Sequence, residues 1–286
     1  MEATIDAVVT SRERVTPGFV RVGLRVRDGG AWSSLNVPDE FVHLEVGAQT
    51  PDADGHTSRH YTVSRVIPGG FEVEVAIHGH GPGSAWGESV AVGDTVRVSE
   101  PKAYYSAPAA HIPRVLIGDA TALPAIARIL AEADGAESFR VVIELGSLDD
   151  ARSLPTAADA SIEWRVGGNG MTASTIVESA AREAEAVMAQ TSRSQDDSSA
   201  PGVYAWVACE SSVSRQTRTR LRRKPGLPAS ALRIVGYWHA DVQRLLDVWA
   251  KLTDEQRAQY DEIWRDDRSD EENWEILEPY MKVLGL

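Results

Sequence analysis

The chain changes its hydrophobic period once, and the change falls at His111-Ile112-Pro113. Up to about Pro108, apolar residues alternate with polar ones. Turn signals such as Thr16-Pro17-Gly18, Pro68-Gly69-Gly70 and Val92-Gly93-Asp94 break the alternation at short intervals. A period of two predicts strands near 4–9, 19–26, 41–46, 59–66, 71–77 and 95–99. Six short antiparallel strands without a long helix predict a small β-barrel. After Pro113, strands near 114–117, 139–144, 162–166, 203–208 and 232–236 are interleaved with helices near 122–133, 172–184 and 212–223. That alternation predicts an open, mostly parallel, Rossmann-like α/β sheet. The polar stretch from Gln190 to Gly202 reads as an inserted loop. Three further helical stretches follow Trp238. The expected organisation is therefore a barrel domain over 1–110 and an α/β domain over 111–286, with C-terminal helices from about 239.

Length supports this division, because 286 residues are ample for two cores. No window approaches the run of about 20 apolar residues that a spanning helix needs. The start, MEATIDAVVTSRERV, has neither a basic n-region nor an apolar h-region. The single cysteine, Cys209, excludes a disulfide framework and a Cys-rich metal site. These features point to the cytoplasm. A net charge of −13 argues against a nucleic-acid partner. Between Thr253 and Glu278 stand eleven acidic and three basic residues, either a solvated helical tail or a docking surface.

Three stretches carry chemistry. The first is Arg59-His60-Tyr61-Thr62. Alternation puts Arg59 and Tyr61 on one face and His60 and Thr62 on the other. A cation for phosphate, a flat ring and a hydroxyl within four residues suit a flavin dinucleotide; they equally suit a plain barrel strand with an aromatic cross-strand pair. The second is His78-Gly-His-Gly-Pro-Gly-Ser-Ala-Trp86, a glycine-rich approach to a short helix beginning near Ser84. Such a helix start is a diphosphate cradle or simply a loop. The third runs from Val115 through Gly118, Asp119, Thr121 and Pro124 to Arg128, an apolar strand entering a helix where a doubly wound sheet binds nucleotide. It lacks the G-x-G-x-x-G fingerprint.

These stretches in this order, followed by Glu144-Leu-Gly, Trp206-Val-Ala-Cys-Glu210 and Gly236-Tyr-Trp238, resemble the siderophore-interacting protein family. That family comprises FAD-dependent ferric-siderophore reductases related in fold to ferredoxin–NADP reductases. The resemblance implies that Arg59, Tyr61, Thr62 and Val63 hold the flavin, with Tyr61 and Thr62 facing its ring. It implies that His78, Gly81, Pro82, Gly83, Ser84, Ala85, Trp86 and Thr121 complete the FAD site. Gly118, Asp119, Pro124, Glu144, Trp206, Cys209 and Glu210 fall on the nicotinamide side. His43, Arg128 and His239 occupy the positions of the family's basic substrate-pocket residues. Two departures stand out: Ser64 precedes Arg65 where the family runs Tyr-Thr-x-Arg, and Cys209 replaces a family glycine.

The implied activity is transfer of electrons from NADH or NADPH through FAD to siderophore-bound iron(III), with no proton-transfer residue assigned. The alternative is a reductase component serving another electron carrier, such as a ferredoxin, or a monooxygenase. A non-enzymatic flavin- or siderophore-binding module is the third reading. With two histidines in place of fixed cations, the expected substrate is a hydroxamate complex in preference to a catecholate. Arg215, Arg218 and Arg222 share one helical face, which is either solvated or available to the 2′-phosphate of NADP.

Overall fold

The computed structural model describes residues 4–27, 32–46, 58–79, 81–168, 172–191, 202–265 and 267–286. His80 and most of the expected inserted loop, residues 192–201, lie outside these.

The period-two half closes into a barrel of six strands: β1 (Thr4–Thr16), β2 (Phe19–Val26), β3 (Phe41–Glu45), β4 (Ser58–Ile67), β5 (Gly70–Ala76) and β6 (Thr95–Ser99), in the order β1-β2-β5-β4-β3-β6. The inward parity of these strands supplies a core of Val20, Val22, Leu24, Val42, Leu44, Val63, Phe71, Val73 and Val98. β1 runs past the expected 4–9 because register shifts at Val9/Ser11 and Arg14/Thr16 let it bend and stay paired with β2. One helix, α1 (Gly81–Ser89), bridges β5 and β6, beginning three residues before the Ser84 expected from sequence. Ser84 sits inside it, buried, and its hydroxyl accepts the backbone N–H of His78 and of Gly79 at 3.1 and 3.2 Å. That hydroxyl closes the glycine-rich loop.

The second half is a five-stranded sheet ordered β11-β10-β7-β8-β9, every neighbouring pair parallel. Its strands are β7 (Arg114–Gly118), β8 (Ser138–Leu145), β9 (Asp159–Val166), β10 (Tyr204–Glu210) and β11 (Leu232–Trp238). Helices α2 (Leu123–Glu132), α3 (Ile176–Thr191) and α4 (Ser211–Arg222) cover its faces. α3 begins four residues later than the sequence pattern predicts, because Glu144 at the end of β8 accepts the N–H and hydroxyl of Thr175, both at 2.6 Å, and fixes the helix start there. β7 has β8 on one side and β10 on the other, so the strand order reverses at the carboxyl ends of β7 and β10. Gly118 makes the sharp exit from β7 possible: a Cβ there would lie 2.3 Å from the Ala122 side chain and 2.8 Å from the Ala208 carbonyl.

The two halves are fastened to each other. Phe19 of the barrel enters the core formed by α2 and one face of the sheet. Asp150 accepts the Thr16 hydroxyl at 2.7 Å and the Gly18 N–H at 2.6 Å. Arg128 of α2, 5% exposed, donates to Glu40 at 2.8 Å and to the Val63 carbonyl at 2.9 Å.

Three C-terminal helices follow: α5 (Val242–Ala250), α6 (Asp254–Ile263) and α7 (Asp270–Leu284). α7 lies against α4 and β11. Arg218 of α4, 2% exposed, pairs with Glu271 at 2.7 Å and with Glu278, and its guanidinium stacks 5.1 Å from the Trp274 ring. Arg222 meets Glu275 at 2.6 Å, and Arg233 pairs with Asp270. Both charge-based expectations are thereby revised. Glu271, Glu275 and Glu278 of the acidic tail turn onto the arginine helix and Asp270 onto Arg233 of β11, and Arg218 and Arg222 spend their charge inside the chain. No described helix is long and apolar enough to cross a membrane.

Candidate functional site

β4 carries the first group of site residues because it is a barrel strand with two different surroundings. Pairing sets Val42 opposite Tyr61 and Leu44 opposite Arg59, while Phe41 faces Thr62 and His43 faces His60. Arg59 and Tyr61 therefore share the parity of the barrel core, and Thr62 the opposite one, as alternation predicts. Tyr61 leans towards α1, with its ring 5.9 Å from that of Trp86. Its hydroxyl lies so close to Gly83 that a Cβ there would sit 2.5 Å from it. Burial pushes the Tyr61 hydroxyl well above the usual phenol range, opposed by the charge of Arg59. Arg59, Tyr61 and the start of α1 thus come together. Gly81, Pro82, Gly83 and Ser84 form the first turn of that helix, a turn without an acidic residue and followed by Ala85; the N–H groups of Gly81, Gly83 and Ser84 have no intrahelical acceptor, proline having no N–H to offer, and the dipole there favours an anion.

Thr62, buried, looks the other way, into the junction of the two halves. There the buried hydroxyl of Tyr237 lies beside it without the geometry of a completed hydrogen bond. The Tyr204 hydroxyl is likewise buried, beside Ser106 and Arg233 but without the geometry of a completed hydrogen bond. Nearby, Asp39 accepts the Tyr104 N–H at 3.1 Å and the Trp206 indole N–H at 3.4 Å. Burial raises its carboxyl above the usual range against those donors.

The third group stands at the strand-order reversal. Asp119 accepts from the Thr121 N–H and hydroxyl at 2.9 and 2.6 Å, from the Glu210 N–H at 3.1 Å and from the Trp238 indole at 2.7 Å. One buried carboxylate so ties together the ends of β7, β10 and β11. Its pKa is raised, burial outweighing the four donors. A cavity of about 230 Å³ opens here, lined by Asp119, Gly168, Ser174, Cys209, Glu210 and Trp238 among others. Glu210 caps α4 through the N–H groups of Ser212 and Val213 at 2.7 and 3.1 Å.

Several expected residues have other employment. Trp206, expected on the nicotinamide side, is fully buried in the core and reaches Asp39. Glu144 is buried and holds the turn before α3. Pro124 is buried at the start of α2. Arg128, expected at the substrate, is consumed by Glu40, Glu132 at 2.6 Å and the Val63 carbonyl. Arg65 pairs with Glu72 at 2.7 Å, because a bulge at Ser64 turns it outward. The His43 and His60 rings are tilted against each other with centroids 4.1 Å apart, and His239 lies 3.3 Å from the Ser211 hydroxyl. The three substrate candidates thus sit on three separate elements. Burial lowers His239 below the usual histidine value, so it is neutral at pH 7. Tyr237, Asp39 and Glu40 were absent from the expected set; only the Gly236-Tyr-Trp238 run hinted at the first.

Comparison with known proteins adds to this geometry. The profile described as Siderophore-interacting protein matches residues 113–241, and that described as Siderophore-interacting FAD-binding domain matches residues 43–105. The Mycobactin import ATP-binding/permease protein IrtA of Mycolicibacterium smegmatis is 28% identical over 251 residues, 82% of this chain and 26% of the relative. The chain thus spans about a quarter of the length of that curated relative. Among solved structures, a siderophore utilization protein from T. fusca superposes with a TM-score of 0.65 at 24% identity, covering 83% of this chain and 93% of the other. The siderophore-interacting protein from Acinetobacter baumannii gives 0.67 at 20% identity, covering 90% and 99%. At those identities the likeness is one of fold.

Proposed function

The chain belongs to the siderophore-interacting protein family, with that family's FAD-binding domain, and from this premise we propose that it is a ferric-siderophore reductase using NADH and FAD. The observation that carries the reading is the two-sided placement of β4. One side meets a positively poised cradle of Arg59 and the α1 start. The other carries Thr62, beside the unsatisfied Tyr237 hydroxyl at the junction of the two halves. An elongated dinucleotide needs both: donors for a diphosphate at one end and buried, unspent polar atoms for a ring edge at the other. When bound, FAD supplies the exchange between a two-electron donor and one-electron acceptors.

The residues then have these roles. Arg59 and the first N–H groups of α1 hold the diphosphate, and Tyr61 shields the ring. Thr62 and Tyr237 hydrogen-bond its edge. Asp119, Cys209 and Glu210 bound the space for the nicotinamide. Reduction releases the metal because hard oxygen chelates hold iron(II) less tightly than iron(III). The experiment is anaerobic bleaching of the flavin by NADH followed by its recovery on addition of a ferric siderophore. Recovery with an electron-carrier protein but with no ferric siderophore would favour a reductase component instead.

NADH is expected to exceed NADPH in kcat/KM. Arg218 and Arg222 face their own acidic partners, which leaves Arg215 alone of the three on that helical face to meet a 2′-phosphate, and the chain carries −13 overall. Steady-state kinetics with both donors at physiological ionic strength checks this, and a clear NADPH preference contradicts it.

The substrate expectation follows from the same accounting. With Arg128 engaged and His239 neutral, polyanionic catecholates meet little fixed positive charge at pH 7.5, whereas near-neutral hydroxamates incur no penalty. His239 gains its proton only below its ordinary value of 6.5, so the catecholate handicap narrows as pH falls below that point. Its depressed pKa also means that the same acidification weakens the fold at this site. His43→Lys with His239→Arg is expected to raise tris-catecholate affinity about thirtyfold, more at low salt, corresponding to roughly 1 kcal/mol for each of the two regained charges. Flavin-fluorescence titrations with both chelate classes at two pH values measure it; tight catecholate binding that ignores pH and the substitutions refutes it.

A further inference from the structure

A second cavity lies away from β4, between α4, the end of β11 and the C-terminal helices. It has a volume of about 410 Å³, within the range of about 300–1,000 Å³ typical of small-molecule sites. One wall is apolar, built by Leu245, Leu246 and Trp249 of α5 with Trp274 and Met281 of α7. The opposite wall belongs to α4 and carries Ser211, Ser214 and Arg215. The arginines of α4 that face α7 are paired, but Arg215, half-buried, makes no ion pair or hydrogen bond with any described residue. Glu278, whose carboxyl feels the charge of Arg215, is already held by Arg218. The Ser214 hydroxyl is spent on the Ser211 carbonyl at 2.8 Å, which leaves Arg215 as the wall's unspent donor group.

A half-desolvated guanidinium facing two indoles and two leucines is complementary to one kind of molecule: an alkyl or aryl body ending in a carboxylate. The planar fork binds the two carboxylate oxygens, and the apolar wall covers the body. We propose that this cavity binds an amphiphilic carboxylic acid through Arg215. The site is separate from the one assigned to FAD and nicotinamide and does not depend on that assignment. The two are neighbours, since Glu210 and Trp238 line the smaller cavity while the adjoining Ser211 and His239 line this one.

Calorimetric titration of the flavin-loaded protein with decanoate, and separately with decanol, tests the proposal. Decanoate is expected to bind at least tenfold more tightly than decanol. Arg215→Gln should weaken decanoate about tenfold, the scale of one charge-assisted hydrogen bond, and leave decanol unchanged. Leu246→Trp, which fills the apolar end, should remove both. Absence of decanoate binding to the wild type, equal affinity for acid and alcohol, or indifference of decanoate to Arg215→Gln would each overturn it.

Discussion

Arg59→Ala combined with Tyr61→Ala is expected to leave a folded protein that has lost most of its flavin. The two side chains stand two residues apart on one parity of β4, beside the start of α1, where the Gly83 backbone approaches the Tyr61 hydroxyl. Removing the guanidinium takes away a charge-assisted bond of about 1.5–3 kcal/mol. Removing the ring takes away about 0.5–1.5 kcal/mol of aromatic contact beyond its area. Together these weaken FAD binding about a hundredfold or more. The measurement is the ratio of flavin to protein absorbance after gel filtration, with circular dichroism to establish folding. Gly83→Val supplies a second arm: its side chain would displace Tyr61 and obstruct the helix start without touching any charge. Full flavin content in the folded double variant would show that the dinucleotide sits elsewhere.

The second large effect concerns stability. Arg218→Ala is expected to cost about 3–5 kcal/mol, the usual result of breaking a buried ion pair from one side. Glu271, 1% exposed, keeps the Ile234 N–H at 2.8 Å and a long contact of 3.9 Å to Arg222 once the guanidinium is gone, and Glu278 loses its Arg218 partner as well. Because these bonds join α7 to α4 and β11, the loss should appear first as faster proteolysis after residue 240 and only then as a lower midpoint of thermal unfolding. Removing charge from both sides, with Arg218→Met and Glu271→Gln, should recover much of the loss, since an uncompensated buried carboxylate is what costs. An Arg218→Ala protein as resistant to heat and protease as the wild type would contradict this account of the C-terminal helices.

The sequence revealed those parts of the molecule whose physics is local. The break in period at Pro113 marks the passage from barrel to parallel sheet because neighbouring residues decide it. The parity of Arg59 and Tyr61 against Thr62 follows from strand geometry alone. That Trp206 would be buried in the core was hidden for an equally physical reason. β10 lies inside the sheet, between β11 and β7, with Ala205, Val207 and Cys209 in one core and Tyr204, Trp206 and Ala208 in the other. When both faces of a strand are buried, both parities are apolar, and nothing in the pattern tells which side meets a ligand. Long-range pairs were equally hidden. Arg128 finds Glu40 across 88 residues and Trp206 finds Asp39 across 167. The arginine helix and the acidic tail each looked like a solvated or ligand-facing surface because neither shows, from its own residues, that the other will cover it.

The central claim is that electrons taken from NADH leave this protein for chelated iron(III), and one anaerobic experiment bears on it most directly. The purified, flavin-loaded protein is reduced with one equivalent of NADH, mixed with a ferric hydroxamate siderophore and a chelator that colours with iron(II), and followed in a stopped-flow spectrometer. The account requires the flavin absorbance to return in step with two iron(II) per flavin, because each NADH delivers two electrons and each iron accepts one. A flavin that NADH does not bleach, or one that stays bleached in the presence of the ferric siderophore, would contradict it.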